Sequence, residues 1–355
     1  MPHISTAEVL LMIDYSLLKR LCQADGVSGS EDAVRKLIID EIKDHADYHI
    51  DNLGNIIAHK KGRNTAKTRL MLSAHMDEVG LMVTDITSDG FLKFDEVGGI
   101  DRRVLLGKTV TVGKNGVNGV IGVKPVHLCK GEENKTVPEY SDMYIDIGAE
   151  NSEEALSYVN IGDIVSYRTA FAENDKTICS KAIDDRFGCY ALIELIKSDF
   201  EYDADFVFAV QEEVGLRGAK VAAYSVDPEF ALVIETTTSA EIPEVDKAAQ
   251  VCNLGEGAVI SVMDRRTIYD KEMVDLAFAT AEKINVKAQY KRAVAGGNDA
   301  GAIHQSRGGV RTLAISLPCR YLHAPNTVAS KADCESVLAL SNKMCELIAG
   351  GELTK

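Results

Sequence analysis

The amino-acid sequence predicts an α/β protein into which a small β-rich domain is inserted. Helical and extended patterns alternate before residue 75 and again after residue 175. Between residues 80 and 170 the pattern changes to short apolar strands separated by glycines. At 355 residues, the chain is long enough for one large domain and a smaller one. We therefore expect the large domain to comprise residues 1–75 and 171–355, and the insertion to comprise residues 76–170.

The first part of the large domain is expected to hold two helices followed by strands. The helices fall between residues 15 and 45, and the second opens with Ser28-Gly-Ser-Glu31. This spacing is typical of a capping box, in which each side chain accepts a hydrogen bond from the other residue's backbone amide. Asp51-Asn-Leu-Gly54 predicts a turn, and the apolar run over residues 69–74 predicts a buried strand that leads to His75.

The remaining elements follow from the same two periodicities. In the insertion, short strands are expected at residues 81–86, 91–94, 108–112, 117–123, 143–147 and 163–167. After it, helices are expected at residues 186–197, 216–224, 271–284 and 332–348. Strands are expected between these helices, at residues 206–210, 231–234 and 310–316.

The composition narrows the possible partners and the compartment. A formal net charge of −15 and a pI of about 5.0 disfavour nonspecific binding to nucleic acid. The eight cysteines are dispersed without a C-x-x-C pair, which favours reduced thiols over a disulfide framework. The apolar segment at residues 9–13 is short and lacks the basic flank of a signal peptide, and no run is long enough to span a bilayer. We expect a cytoplasmic protein with neither a nucleic-acid nor a membrane partner.

Acidic and histidine side chains recur where the apolar runs end. Because ligands of open α/β folds bind at the carboxyl ends of the strands, these side chains are the candidate site residues. They are His75, Asp77, Asp184, Glu212, Glu213, Glu235 and His323.

The first two sequence motifs of this set combine a ligand with a supporting carboxylate. His75 and Asp77 are two residues apart, so in a strand they face the same side and Asp77 can fix the tautomer of a metal-binding imidazole. Asp184 and Asp185 stand at a strand-to-helix junction. There, one carboxylate can bridge two cations while the other caps the helix.

The later motifs add a pair of glutamates, a third glutamate and a second histidine. Glu212 and Glu213 repel each other unless a cation or a shared proton compensates, which suggests that one ligates a metal and the other is a general base. Glu235 is a further candidate oxygen ligand, and the alternative is that this segment, with the threonines after it, forms only a turn. His323 lies between Pro318 and Pro325, which restrict its loop.

Two histidines and several carboxylates, without a cysteine, form the donor set. Such a set is typical of two divalent cations, namely Zn²⁺, Co²⁺ or Mn²⁺, with a position left open for water and substrate. A two-metal site of this kind predicts hydrolase chemistry.

Beyond the individual residues, the motifs resemble those of a known family over residues 15–350. The chain resembles the co-catalytic metallo-aminopeptidases of metallopeptidase family forty-two, the tetrahedral and glutamyl aminopeptidases. The resemblance rests on Ser28-Gly-Ser-Glu31, Asp51-Asn-Leu-Gly-Asn55, Ala74-His-Met-Asp-Glu-Val-Gly80, Ile183-Asp-Asp-Arg186, Gln211-Glu-Glu-Val-Gly215 and Arg320-Tyr-Leu-His323.

The resemblance implies a role for each candidate residue. His75 and Glu235 would bind one metal, Glu213 and His323 would bind the other, and Asp184 would bridge the two. Glu212 would be the catalytic base, and Asp77 would support His75 from behind. Glu235 stands where many members of the family carry Asp, and Asn298 stands in a Gly-rich loop where Thr is frequent.

The resemblance also implies the architecture, the substrate and the assembly. It implies a three-layer α/β dizinc-peptidase domain and, in residues 76–170, a PDZ-like dimerisation domain. Dimers would assemble into a hollow tetrahedral dodecamer that acts as an aminopeptidase on short peptides with a free N-terminus. The preferred N-terminal residue stays open, because Arg320, which could attract acidic side chains, belongs to a motif that the family shares.

Three alternatives remain at this level. A related dizinc exopeptidase or a deacylase would use the same ligands. An endoglucanase would need two carboxyl groups on opposite sides of a glycosidic bond and no metal, which adjacent Glu212 and Glu213 do not easily provide. The chain also lacks Trp, the usual platform for sugar rings. The third alternative is a non-enzymatic scaffold with the same fold.

Overall fold

The computed structural model of the chain describes residues 13–131 and 135–353. Residues 1–12 of the first predicted domain range, which include most of the apolar segment at residues 9–13, lie outside the described residues. Among the helices that are described, none has the length and apolar character needed to cross a membrane.

The described residues form a large sheet, a small barrel and eight helices. The large sheet contains β1 Asp47–Ile50, β2 Ile56–Lys60, β3 Leu70–His75, β10 Ala172–Glu173, β11 Thr177–Ser180, β12 Ala204–Ala209, β13 Phe230–Thr238, β14 Ala258–Ile260, β15 Ala288–Tyr290, β16 Arg311–Arg320 and β17 Thr327–Ser330. The barrel contains β4 Gly80–Ile86, β5 Leu92–Val97, β6 Thr109–Val112, β7 Val117–Val123, β8 Met143–Asp146 and β9 Ile164–Tyr167. The helices are α1 Tyr15–Gln23, α2 Asp32–Ile42, α3 Ser152–Tyr158, α4 Ile183–Lys197, α5 Arg217–Val226, α6 Lys271–Lys283, α7 Ala300–Ile303 and α8 Lys331–Ala349.

The centre of the large sheet is parallel. Strands β12, β3, β13 and β16 lie side by side in that order and run in the same direction. Antiparallel strands extend the sheet on both sides, through β2 and β1 at one edge and through β17, β11 and β10 at the other. Every residue of β3 is buried, so both faces of the sheet are covered there. The carboxyl ends of the four parallel strands therefore meet at one edge of a buried sheet.

Two groups of helices cover this sheet. Helix α4 packs on β3 and β13 and also contacts α1, α2 and α8. Helices α5 and α7 contact each other and pack on β12 and β16 respectively. Since the central strands are buried on both faces, we infer that the two groups lie on opposite faces, which makes the large unit a helix–sheet–helix sandwich.

Local sequence explains several of the element boundaries. At the predicted turn, the Asp51 carboxylate accepts hydrogen bonds from the amides of Leu53, Gly54 and Asn55, and this closes the β1–β2 hairpin. Helix α6 starts after Asp270, whose side chain accepts a hydrogen bond from the Met273 amide.

The insertion forms a closed antiparallel barrel with its own core. The strands follow the order β4-β5-β8-β7-β6-β9 and lie within the predicted range of residues 76–170. Leu81, Phe94 and Ile145 belong to a buried apolar cluster that is separate from the core of the large sheet. The predicted strands of the insertion are all present. The strand at residues 117–123 has the predicted ends and the others differ by one to three residues, whereas α3 was not predicted. The exact division of the chain into two domains stays a prediction.

One local prediction is wrong, and one alternative that the sequence left open is excluded. Ser28 and Glu31 do not form a capping box, because the Ser28 hydroxyl donates to Asp77 and the Glu31 carboxylate accepts from the Gly29 amide instead. Asp77, which is distant in sequence, is the hydrogen-bond partner of Ser28 in place of the local backbone amide of the predicted cap. The threonines after Glu235 do not form a turn, since β13 continues to Thr238 beside β16.

Candidate metal centre

The predicted ligands lie together at the edge of the sheet where the parallel strands end. His75 is the last residue of β3, and Glu213 lies in the loop after β12. Glu235 lies within β13, and His323 follows β16 in a left-handed conformation with φ of 57°. Asp184 comes from the start of α4, before the chain adopts regular helical geometry. Five side chains from five different segments thus converge.

The distances divide these side chains into two groups that share Asp184. Asp184 Oδ1 lies 3.4 Å from His75 Nε2, and Glu235 Oε1 lies 3.5 Å from the same nitrogen. Asp184 Oδ2 lies 3.3 Å from His323 Nε2, and Glu213 Oε2 also lies 3.3 Å from that nitrogen. Each group therefore offers one imidazole nitrogen, one glutamate oxygen and one oxygen of Asp184.

The neighbouring Asp185 has a different environment from Asp184. Its carboxylate accepts hydrogen bonds from the Gly188 amide at 2.9 Å and from the His75 amide at 3.4 Å. Its oxygens also lie close enough to His75 and Glu235 to form a further potential metal-binding group. Because both oxygens already accept backbone hydrogen bonds, we assign Asp185 to the support of α4 and β3 rather than to the ligand set.

Asp77 connects His75 to the loop that carries the paired glutamates. His75 Nδ1 lies 3.1 Å from the Asp77 carbonyl oxygen and 3.4 Å from Asp77 Oδ1. The two carboxylate oxygens of Asp77 accept hydrogen bonds from the amides of Glu212 at 2.9 Å and Glu213 at 3.1 Å. The Ser28 hydroxyl completes this shell at 2.5 Å. Asp77, which is fully buried, thus fixes both the imidazole and the loop.

His323 is oriented by the barrel. Its Nδ1 lies 2.9 Å from the carbonyl oxygen of Gly99, which follows β5 of the barrel. A proton on Nδ1 that is donated to this carbonyl leaves Nε2 free to face Asp184 and Glu213. One ligand of the candidate site therefore depends on a backbone group of the insertion.

The carboxylates of the cluster are electrostatically strained. Burial, reinforced by Asp184, raises the pKa of Glu213 to about 8 against the opposing effect of His323. Burial also raises the pKa of Glu212 well above its ordinary value and the pKa of Glu235 above its own. Burial opposes ionisation of Asp184 as well, but the adjacent His323 and His75 outweigh it and lower the pKa of Asp184.

The histidines show the reverse effect. Burial alone would lower the pKa of His323, but Asp184 and Glu213 outweigh it and raise that pKa to about 9. The same balance applies to His75. Burial would lower its pKa, but the carboxylates of Glu235, Asp184 and Asp77 outweigh burial and raise that pKa well above its ordinary value. The cluster attracts positive charge strongly enough to hold protons on its imidazoles, and divalent cations would take the place of those protons.

The residues present fit a pair of divalent cations. Asp184 Oδ1 is buried and accepts no hydrogen bond, although it points toward His75 Nε2. An unpartnered, buried carboxylate oxygen is costly unless a cation compensates it. Imidazole nitrogens and carboxylate oxygens are ligands for Zn²⁺, Co²⁺ and Mn²⁺, so the donor chemistry agrees with the geometry.

A cavity of about 250 Å³ opens onto these side chains. Its wall also includes Thr237, Thr238, Val251 and the partly buried Lys291. Most of the residues that line it come from the ends of β3, β12, β13, β15 and β16 and from the Gly296–Asn298 loop, and Asp184 comes from the start of α4. The cavity is therefore the place where a substrate would meet the ligand cluster.

Several residues of the site were not predicted. The spacing of Ser28 and Glu31 predicts a helix cap and not a contact with Asp77. Nothing in the sequence pattern identifies Gly99 or Lys291. Arg320, which the sequence offers as a group that could attract acidic side chains, forms an ion pair with Glu241, with 2.8 Å between Arg320 Nε and Glu241 Oε1.

Comparison with known proteins gives consistent matches. Residues 54–340 match the model of the M42 glutamyl aminopeptidase family. A putative aminopeptidase of Acetivibrio thermocellus is 42% identical over 329 residues, which are 92% of this chain and 96% of the relative. The lysyl aminopeptidase of Pyrococcus furiosus is 34% identical over 94% of this chain and 97% of its own.

A solved structure supports the same relationship. The TET1 peptidase of Pyrococcus horikoshii, which can assemble into a tetrahedron or a large octahedral shell, is 38% identical and has a TM-score of 0.81. The match covers 94% of this chain and 98% of the peptidase.

Proposed function

Because the chain belongs to the M42 glutamyl aminopeptidase family, we propose that the ligand cluster holds two divalent cations that serve the removal of N-terminal residues from short peptides. The chain is an aminopeptidase and a hydrolase. The observation that carries the two-metal proposal is the position of Asp184 between two imidazoles, with one oxygen facing each. A single carboxylate placed in this way is what two neighbouring cations require of a bridging ligand.

The proposed ligand sets follow from the two groups of distances. His75 and Glu235 hold one cation, Glu213 and His323 hold the other, and Asp184 bridges them. Zn²⁺ fits the nitrogen and oxygen donors best, and Co²⁺ and Mn²⁺ fit the same geometry. Bound cations would polarise the scissile carbonyl and lower the pKa of a water molecule between them.

Glu212 is the proposed general base. Its carboxylate lies in the cavity with Glu212 Oε2 4.0 Å from His75 Nε2, outside both ligand groups. The hydrogen bond from its amide to Asp77 fixes its backbone, so the carboxylate is held beside the reacting centre without being a ligand. Glu212 accepts a proton from the attacking water and returns it to the leaving amine.

The substrate's free α-amine is proposed to lie among the acidic side chains of the same cavity. An amine carries a positive charge at neutral pH, and Glu213, Glu235 and Asp184 supply the opposite charge close to the scissile bond. An acetylated N-terminus removes that charge and adds volume. N-blocked peptides should therefore be poor substrates.

The alternatives are less well supported by the same geometry. In an endoglucanase the two working carboxyls flank the bond at a separation of about 5 to 10 Å without a metal. Here the carboxylates converge on two imidazoles instead. A deacylase or another dizinc exopeptidase would share the metal cluster, so the substrate assay must separate them from an aminopeptidase.

The assembly and the compartment belong to the proposal as well. We propose that residues 76–170 form a PDZ-like dimerisation domain and that dimers build a closed dodecameric shell. Exposed apolar side chains on the insertion support this, because Val126, Leu128 and Ile161 are 72%, 54% and 61% exposed. Free cysteines, most of them buried, fit a reducing cytoplasm.

Metal analysis combined with a peptidase assay tests the function. Chelation should abolish the hydrolysis of leucine p-nitroanilide, and Zn²⁺, Co²⁺ or Mn²⁺ should restore it. Glu212→Gln should keep both metals and lose at least about 100-fold in kcat. Equal hydrolysis of acetylated and free peptides would overturn the exopeptidase assignment. Loss of metal together with activity in Glu212→Gln would make Glu212 a ligand instead.

A further inference from the structure

Lys291 places a positive charge on the wall of the active-site cavity. It directly follows β15, and its backbone amide donates to the carbonyl oxygen of Ile260 at 3.0 Å, at the end of β14. This pairing fixes where the side chain begins. Among the described residues that line the cavity, Lys291 is the only lysine or arginine.

The Lys291 ammonium has no partner within the described part of the chain: no hydrogen bond or ion pair reaches it. Apart from the proposed ligands and Glu212, the other described residues that line this cavity are uncharged, and they include Thr237, Thr238 and Asn298. Burial lowers the pKa of Lys291, and the charges of Asp264 and Glu235 partly oppose this effect. A partly buried ammonium without a partner is unfavourable, and an anion bound in the cavity would relieve that cost.

The charge balance of the cavity leaves Lys291 uncompensated once metals bind. Four carboxylates line the cavity, and when ionised they match the charge of two divalent cations. The other nearby cations are already engaged. Arg320 pairs with Glu241, and Arg292 donates to the side chain of Asn253 at 3.0 Å.

We propose that Lys291 binds the side-chain carboxylate of an N-terminal glutamate or aspartate, so that the enzyme prefers peptides with an acidic first residue. This inference rests on the proposed function, because it requires the first residue of the peptide to enter this cavity. Lysine suits the task, since its flexible stem lets the ammonium follow carboxylates of two lengths. Preference arises because an uncharged first residue leaves the ammonium unpaired.

Aminoacyl p-nitroanilides test the inference on the metal-loaded enzyme, because they carry no C-terminal carboxylate. The values of kcat/KM should be measured for glutamyl, glutaminyl, leucyl and lysyl anilides. The wild-type enzyme should favour glutamyl over glutaminyl by at least about tenfold. Lys291→Met should reduce this ratio by about 10- to 100-fold, mainly through KM, with leucyl hydrolysis retained. Lys291→Glu should shift the preference toward the lysyl anilide.

Lys287→Met is the matched control. It removes a cation from the same segment, but Lys287 is exposed, donates to the carbonyl of Gly255 and lies outside the cavity. Its glutamyl-to-glutaminyl ratio should equal that of the wild type. Metal content and the thermal midpoint of each variant establish that the fold is intact.

Each outcome decides between the two proposals. Hydrolysis of the leucyl anilide without a glutamyl preference, or an unchanged ratio in Lys291→Met, overturns the inference and leaves the aminopeptidase intact. Equal loss on every anilide in Lys291→Met also overturns it, because the residue would then serve catalysis or folding. If the lysine instead binds a peptide's C-terminal carboxylate, Leu-Gly should be cleaved faster than its amide while the anilide ratio stays unchanged. No hydrolysis of any anilide by the wild type overturns the proposed function itself.

Discussion

The hydroxyl of Ser28 donates a hydrogen bond of 2.5 Å to the carboxylate of Asp77, across 49 positions of sequence. The Asp77 carboxylate in turn lies beside the His75 imidazole and accepts hydrogen bonds from the backbone amides of Glu212 and Glu213. Ser28 contacts none of the proposed ligands directly. It stabilises the residue that positions them.

We expect Ser28→Ala to weaken metal binding and activity without unfolding the protein. Loss of a group that supports a metal ligand from behind typically costs about 10- to 100-fold in affinity or activity. Titration of the metal-free protein with Zn²⁺ and measurement of kcat check this prediction. Ser30→Ala is the control, because the Ser30 side chain lies in the same turn but outside this network. Equal effects of the two substitutions would contradict the role of Ser28.

The Asp184 carboxylate is expected to be required for both cations. Asp184→Asn removes the charge shared by the two ligand groups, so both metals should be lost rather than one. With free metal about 1,000-fold above the dissociation constant, binding should stabilise the wild type by about 4 kcal/mol. The thermal midpoint should therefore rise with added metal in the wild type and in Asp199→Asn, an exposed control, but not in Asp184→Asn. Retention of one tightly bound metal would refute the bridge.

We expect a side chain at position 98 to weaken metal binding, because Gly98 lies between the barrel and the candidate site. An added Cβ would lie 2.8 Å from Val79 Cγ1 and 3.3 Å from Glu213 Cβ, next to the carbonyl that orients His323. Gly98→Ala should lower metal affinity by about tenfold.

Gly107→Ala separates this contact from backbone strain. Both glycines have positive φ, 84° and 74°, so each substitution costs about 1–2 kcal/mol in the left-handed region. A Cβ at Gly107 meets nothing within 4 Å. Metal affinity should fall only in Gly98→Ala, and a parallel fall in both variants would show that general destabilisation is responsible.

Arg186 is expected to stabilise the fold rather than the chemistry. Its fully buried guanidinium donates to the carbonyls of Met76, Leu21 and Ala24 and lies 3.4 Å from Glu78 Oε1. Arg186→Met leaves those acceptors unpaired, and the free energy of unfolding should fall by about 3–5 kcal/mol.

Urea denaturation measures this loss. Arg63→Met provides the comparison, because Arg63 forms an exposed ion pair with Asp199 at 2.8 Å and its loss should cost about 1 kcal/mol or less. A similar stability in both variants would mean that the buried guanidinium is not needed.

The convergence of the ligands was predictable because it follows from strand direction. His75, Glu213 and His323 each follow an apolar run, and parallel strands present their carboxyl ends at one edge. The sequence pattern therefore predicted that these side chains lie close together, as they do in the structure. Which oxygen faces which imidazole depends on the turn at Asp184, and no periodicity encodes that geometry.

Other features of the structure could not be predicted from the sequence, because they depend on residues that are distant along the chain. Ser28 has the spacing of a local cap, but its hydroxyl reaches Asp77 instead. The proposed role of Lys291 rests on its lack of a partner among the residues that the structure describes, and a lack of this kind cannot be predicted from sequence. Helix α3 was not predicted because it is short and lies between barrel strands, in a region where the alternation of apolar residues predicts strands. Arg320 could attract an acidic side chain, but the sequence does not predict that its partner is Glu241.

The hydrogen bond between His323 and Gly99 has a consequence for protein engineering. Deleting the barrel to obtain a smaller peptidase would remove none of the proposed metal ligands, yet it would allow the imidazole of His323 to rotate. A trimmed version would need a replacement acceptor for the Nδ1 proton of His323. The insertion therefore supplies a backbone contact to a proposed metal ligand, and we expect that replacing it would disturb the candidate site.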